Sequence, residues 1–357
     1  MKLGFGLYKA LLNDQNFQFA KQAGASHLVV QLVDYVKGED SPSLARDYRD
    51  GWGVTQNHDK LWEYDILMRI KKQIESHGLK WEAIENFDPS HWYDILLDGP
   101  NKNKQLDNLK YMIRNIGKAG IRTMGYYFSL AGVWGWTTGP HGRGNAMSVG
   151  FDGSKVDVNT PIPNGMVWNM TYDVDAPQRN RESVSSEELW QRFEYFLSEI
   201  IPVAEESNVK MVAHPDDPPL EKLRGSARLI YKPELFDKLL ETVDSPSNGI
   251  ELCMGTVQEM VGSNVYDVLD KYSKMDKIGY IHFRNVVGKV PNYREAFVDE
   301  GDIDMLKALQ VLKNNNYNGV LIPDHTPEMS CGAPWHAGMA FAMGYMRAAM
   351  QSLDVLD

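Results

Sequence analysis

At 357 residues, 43% hydrophobic and 24% charged, the chain lies in the range of folded globular proteins and outside that of disordered ones. Its 37 Lys and Arg against 48 Asp and Glu give a formal charge of −11, which argues against a nucleic-acid or anionic-membrane partner, since either needs a basic face. No window approaches the roughly 18 uninterrupted apolar residues of a membrane span. Lys9 and Asn13 break up the N-terminal apolar stretch, and Cys253 and Cys331 alone make no disulfide framework, so a cytoplasmic protein is expected.

Apolar, β-branched runs bounded by turn residues mark eight strands in chain order. They are Lys2–Gly6, His27–Leu32, Lys80–Ile84, Arg122–Tyr127, Val209–Ala213, Gly249–Cys253, Lys277–Phe283 and Gly319–Pro323. Helical periodicity falls between them, over Asn16–Ala23, His58–His77, Lys104–Ala119, Ser186–Ser207, Pro233–Val243, Val265–Met275 and Asp302–Asn314. Ala23-Gly24, His77-Gly78 and Ala119-Gly120 place Gly where a left-handed residue closes a helix. Ser185 or Ser186, ahead of Glu187 and Glu188, is a helix cap with acids on the first turn. The alternation points to an α/β chain, one (β/α)8 TIM barrel domain over 1–357 rather than a doubly wound sheet. Residues 129–185, rich in Gly, Pro, Asn and Trp, break the repeat and read as a long active-site loop or lid after the fourth strand, at the C-terminal face.

The histidines divide by position. His58 and His77 fall on or at the end of a helix, His91 and His141 in loops, and His27 at the start of a strand. His214 and His282 each end or follow a strand, Cys253 ends another, and Asp324 with His325 follows the last. The strand ends of such a barrel form its active-site face. Adjacent strands lie about 4.8 Å apart, so His214, Cys253, His282 and Asp324 can converge on one ion at roughly 2.0–2.3 Å. This nitrogen, sulfur and oxygen set suits Mn, Fe, Co, Ni or Zn better than Mg or Ca.

The segments His214-Pro-Asp-Asp-Pro-Pro219, Cys253-Met-Gly-Thr256, His282-Phe-Arg-Asn-Val286, Asp299-Glu-Gly-Asp302 and Pro323-Asp-His-Thr-Pro327 closely resemble those of the mannonate dehydratases, within the xylose isomerase-like barrels. The resemblance implies a divalent metal, usually Mn²⁺, on those four residues. It also implies elimination of water from D-mannonate, within hexuronate catabolism, to give 2-keto-3-deoxy-D-gluconate, and a homo-oligomer, often a dimer. The first half departs from the family. Gly6-Leu7-Tyr8-Lys9 replaces an Arg-Trp-Tyr-Gly element, and Tyr126-Tyr-Phe-Ser-Leu130 with Val133-Trp-Gly-Trp-Thr-Thr138 replaces a segment carrying arginine, so two substrate-holding arginines are missing. A family tyrosine beyond the motif histidine has no counterpart in Cys331-Gly-Ala-Pro-Trp-His-Ala-Gly338, where His336 stands.

Dehydration needs a base for the C2 proton and an acid for the C3 hydroxyl. His325, adjacent to Asp324, is the first candidate for proton transfer, and His336 the second. Arg284 can clamp a sugar-acid carboxylate bidentately, or pair with Asp299 or Glu300. Asn285 can bind a substrate hydroxyl or the loop backbone, and Asp216 and Asp217 form a rigid rim or a solvated turn. Trp134, Trp136, His141 and Arg143 can line a lid or pack on the barrel rim. A metal-dependent sugar isomerase or epimerase, and a non-catalytic carbohydrate-binding barrel, are the alternatives.

Overall fold

The computed structural model describes residues 1–33, 52–55 and 59–357. Eight parallel strands close into a barrel: β1 (Lys2–Tyr8), β2 (His27–Gln31), β3 (Lys80–Glu85), β4 (Thr123–Tyr126), β5 (Lys210–Ala213), β6 (Asn248–Cys253), β7 (Ile278–His282) and β8 (Val320–Ile322). Each pairs with its neighbours in sequence, and β8 closes onto β1 through Lys2 opposite Val320 and Leu3 opposite Leu321. β4 and β6 are buried along their whole length, as parallel strands covered by helices must be. That double burial is why their sequences read as continuous apolar runs rather than alternation. All eight strands expected from the sequence form, with ends shifted by a residue or two.

The helix Ser186–Glu206 starts with a capping box: the Ser185 hydroxyl accepts from Glu188 N, and the Glu188 carboxylate accepts from Ser185 N at 2.8 Å. Gly78 and Gly120 take φ of +70° and +74°, ending the helices Tyr64–Ser76 and Lys102–Lys118. The helix expected over His58–His77 begins at Tyr64, and His58 lies outside the described residues. His91 belongs to a buried helix, Pro89–Leu97, not to a loop. A second unexpected helix, Pro334–Ser352, buries Trp335, Met339, Ala342, Met343, Met346 and Met350. Those positions follow a helical period, which places His336 on a helix. Among the described residues no helix is long and apolar enough to cross a membrane.

The inside of the barrel is filled by Val29, Ala83, Val212, Tyr280, Val320 and Ile322. β1 contributes almost no bulk: a Cβ on Gly4 would lie 2.4 Å from Val320 Cγ1 and 2.9 Å from Ile322 Cγ2. Both neighbours are β-branched and stiff, so they cannot swing aside. Gly4→Ala is therefore expected to lower stability by about 1–3 kcal/mol through overpacking, read as a reduced denaturant midpoint with an unchanged m-value.

Segment 129–185 is not an irregular loop. Its strands Trp136–Gly139 and Ser148–Asp152 pair antiparallel, and the second pairs with Asn292–Ala296, which pairs with Asn285–Lys289. The resulting four-stranded sheet joins the connections that follow β4 and β7. Each segment folds as a local hairpin, and only the join between the two, Ser148–Asp152 with Asn292–Ala296, is long-range.

Candidate active site

His214 follows β5, Cys253 and His282 end β6 and β7 in register with each other, and Asp324 stands just past β8. The metal-binding atoms of His214, Cys253 and His282 lie within 4.8 Å of one another. Asp324 Oδ2 is 3.3 Å from His282 Nδ1. Asp324 holds a left-handed φ of +60°, a conformation that Asp tolerates better than most side chains. His214 Nδ1 donates to Pro215 O at 2.6 Å, which leaves Nε2 with its lone pair. His282 Nδ1 is buried and makes no hydrogen bond. An orphaned buried ring nitrogen beside a thiol and a carboxylate fits a divalent metal that is soft enough for sulfur.

Arg284 controls the charge here, though not as a substrate clamp. Its Nε donates to Cys253 Sγ at 3.2 Å, Nη1 to Glu259 Oε1 at 2.9 Å, and Nη2 to Asp217 Oδ2 at 2.6 Å and Thr256 Oγ1 at 3.0 Å. Burial alone would push the Cys253 thiol up, but the Arg284 charge and the neighbouring histidines hold it well below its ordinary value. Burial and the Asp217 charge push Glu259 well above the carboxylate range despite Arg284. A guanidinium engaged on every side cannot also grip a sugar acid, and the partners of Arg284 are Asp217 and Glu259 rather than Asp299 and Glu300.

Asn285, Arg143 and Asp216 are likewise engaged in structure, and His141 is packed with its Nε2 buried and unpartnered. Asn285 Nδ2 donates to Ile303 O at 2.9 Å and its Oδ1 accepts from Val286 N and Ile303 N, so this side chain ties down its own loop. Arg143, with nearly half its side chain exposed, pairs with Asp299 and Glu300. The His141 ring lies over the four-stranded sheet, where a Cβ on Gly139 would meet Nε2 at 2.7 Å. Asp216 and Asp217 are buried, not solvated. Asp216 pairs with Arg228 at 2.8 Å and accepts from Leu229 N and Ile230 N. Trp134 packs beneath the Arg224 guanidinium.

His336 stands on the first turn of Pro334–Ser352, where its Nε2 meets Asn16 Oδ1 at 3.0 Å and its ring sits edge-on to Phe19 and Trp335. Those contacts tie it to the helix Asp14–Gln22, so it joins none of the four donors.

His325 is placed differently. Its Nε2 lies 3.4 Å from Asp324 Oδ2, its Nδ1 is bound by the buried Glu295 carboxylate, and its ring sits edge-on to Trp136. Burial lowers its basicity, but Glu295 and Asp324 outweigh that and push its pKa up to about 9. Glu295 comes from the strand Asn292–Ala296, as does Tyr293, whose hydroxyl donates to Asp217 Oδ1 and accepts from Trp136 Nε1, both at 2.8 Å. Sequence reasoning missed Glu295 and Tyr293. The hairpin that the chain makes just after β7 brings them in, and no motif spacing ties it to His325.

The model of the D-mannonate dehydratase (UxuA) family matches residues 51–352. A mannonate dehydratase from Streptococcus suis (strain 05ZYH33) is 32% identical over 278 residues, 74% of this chain and 75% of its own. The crystal structure of mannonate dehydratase from Streptococcus suis serotype 2 superposes with a TM-score of 0.76 at 26% identity, over 100% of this chain and 95% of that one. D-psicose 3-epimerase from Clostridium cellulolyticum H10, solved with D-tagatose, shares the xylose isomerase-like barrel alone, at 12% identity and a TM-score of 0.56 over 100% of both chains.

Proposed function

Since the chain belongs to the mannonate dehydratase family, we propose that it removes water from D-mannonate to give 2-keto-3-deoxy-D-gluconate, with a divalent metal held by His214, Cys253, His282 and Asp324. The observation that carries this reading is the meeting of three metal-binding side chains from β5, β6 and β7 with Asp324, directly beside a histidine that is not needed as a ligand. A divalent cation bound there stabilises the negative charge that develops next to the substrate carboxylate as the C2 proton leaves.

The chain's own groups supply the proton handling. Glu295 binds His325 at Nδ1, which leaves Nε2 as the nitrogen turned toward Asp324 and the site. In its neutral form, which grows as pH rises toward its pKa of about 9, His325 takes the C2 proton at that atom and returns it to the C3 hydroxyl as the C3–O bond breaks, so the hydroxyl leaves as water and the enol rearranges to the 2-keto acid. Trp136 covers the flank of His325 and keeps bulk water from it. Arg143, Arg228 and Arg284 all have carboxylate or carbonyl partners. Recognition of the sugar-acid carboxylate therefore does not fall to them. The resemblance in the ligand motifs supports manganese and a homo-oligomer. The unpaired thiols of Cys253 and Cys331 suit a reduced, cytoplasmic setting.

The test is turnover of D-mannonate by metal-stripped protein reloaded with Mn²⁺, following the 2-keto-3-deoxy acid. Metal-dependent formation of that product is expected. A fully loaded protein that leaves D-mannonate untouched would overturn the reading.

A further inference from the structure

Below the four donors the barrel interior holds a second polar layer that the reaction above does not use. Glu85 at the end of β3 and Glu251 on β6 meet at His282 Nε2, the ring nitrogen turned away from Asp324, and Tyr280 on β7 binds Glu85. His282 Nε2 donates to Glu85 Oε2 at 3.2 Å, and Glu251 Oε1 lies 3.2 Å from the same nitrogen. Glu85 is itself anchored, since its Oε1 accepts from Gln31 Nε2 at 2.8 Å and its Oε2 from Tyr280 OH at 3.3 Å. β4 makes room for this layer by having no side chain at Gly125, where a Cβ would lie 2.3 Å from both Glu251 Oε2 and Tyr280 OH.

The Glu85 carboxylate accepts from Nε2, so with a metal at the other nitrogen the single proton of neutral His282 sits on Nε2 and the lone pair on Nδ1, the side of Cys253 and Asp324. That atom is the buried one without a hydrogen bond. We infer that Glu85 and Glu251 are positioning residues for the metal: they hold His282 in the tautomer that ligates through Nδ1 and strengthen its donor character. His214, whose Nδ1 donates to Pro215 O, is set the opposite way and ligates through Nε2. The inference rests on the metal reading above. Its physical basis is general, because a carboxylate on the far nitrogen of a ligating histidine fixes its orientation and raises its basicity.

The competing use of these groups is a second cation, since Glu85, Glu251 and His282 are near enough to share one. That would require His282 to lose both ring protons. It would also put a positive ion beside the Gln31 N–H and Tyr280 O–H donors that already point at Glu85. The donors around Glu85 suit an anion that accepts hydrogen bonds, not a cation's ligand.

Co²⁺ is the probe. Metal-stripped full-length wild type, Glu85→Gln, Glu251→Gln and the double variant are titrated with Co²⁺ against a competing chelator, following the thiolate charge-transfer and d–d bands along with thermal stability. One Co²⁺ per chain is expected throughout, with affinity weakened roughly 10–100-fold in each single variant, more in the double, and with shifted d–d bands. If Glu85→Gln fails to fold, Glu251→Gln carries the test alone. Unchanged affinity and bands with only a lower melting temperature would reduce the pair to packing and overturn the inference. Two Co²⁺ per wild-type chain, one of them lost in the variants, would replace it with a cation site. A wild type with no thiolate band would overturn the metal reading itself, a different failure from unchanged variants.

Discussion

Replacing His325 by Gln is expected to lower kcat on D-mannonate by about 10²–10⁴-fold, the range lost with a positioned proton-transfer group, while metal content stays at the wild-type level. Gln can still accept or donate a hydrogen bond to Glu295, but it cannot carry a proton between substrate and solvent. The geometry separates these roles, because His325 Nε2 faces Asp324 and its other nitrogen is held by Glu295. Steady-state kinetics and metal analysis on one preparation make the check. Full turnover by the variant would remove His325 from the mechanism. Loss of metal together with activity would move it into the ligand set.

Arg284→Met is the second large effect. The guanidinium is the cation shared by buried Asp217, Glu259 and the Cys253 sulfur, and its own side chain is 3% exposed. Removing one partner of a buried ion pair leaves an uncompensated charge, a loss of about 3–5 kcal/mol. Without that positive charge the Cys253 thiol regains its proton more easily, so metal binding weakens as well. Urea unfolding and metal titration report the two effects separately. A substrate clamp would behave otherwise: stability and metal affinity would hold and KM alone would rise. Arg284→Lys restores the charge but not the forked donors, so partial recovery is expected.

The strand pattern made the barrel legible, because parallel strands buried on both faces leave uninterrupted apolar runs, and the residue that ends each run must stand on one rim. His214, Cys253, His282 and Asp324 could be placed together on that ground alone. What spacing does not show is whether a side chain's hydrogen bonds are already taken. Arg284 reads as a free clamp until Asp217 and Glu259 turn out to be buried beside it. Asn285 reads as a substrate contact until its loop closes around it. His336 lies close to His325 in sequence, but an apolar helical period carries it onto an outer helix, against Asn16. Glu295 was invisible for the opposite reason, since its hairpin reaches His325 only because the chain after β7 folds over the barrel rim, which no local spacing announces.

That pairing also bears on the order in which the molecule assembles. The barrel closes through neighbouring βα units, contacts of modest sequence separation, apart from the single seam between β8 and β1. The strands Asn292–Ala296 and Ser148–Asp152 must instead find each other across the three barrel strands β5 to β7 that lie between them in sequence, with the loop-closure entropy that entails. High contact order of this kind slows formation of a contact relative to local ones. Completion of the sheet beside the His325–Glu295 pair after dilution from denaturant thus waits, as the β8–β1 seam does, on a long-range pairing, and regain of helical signal would run ahead of regain of turnover.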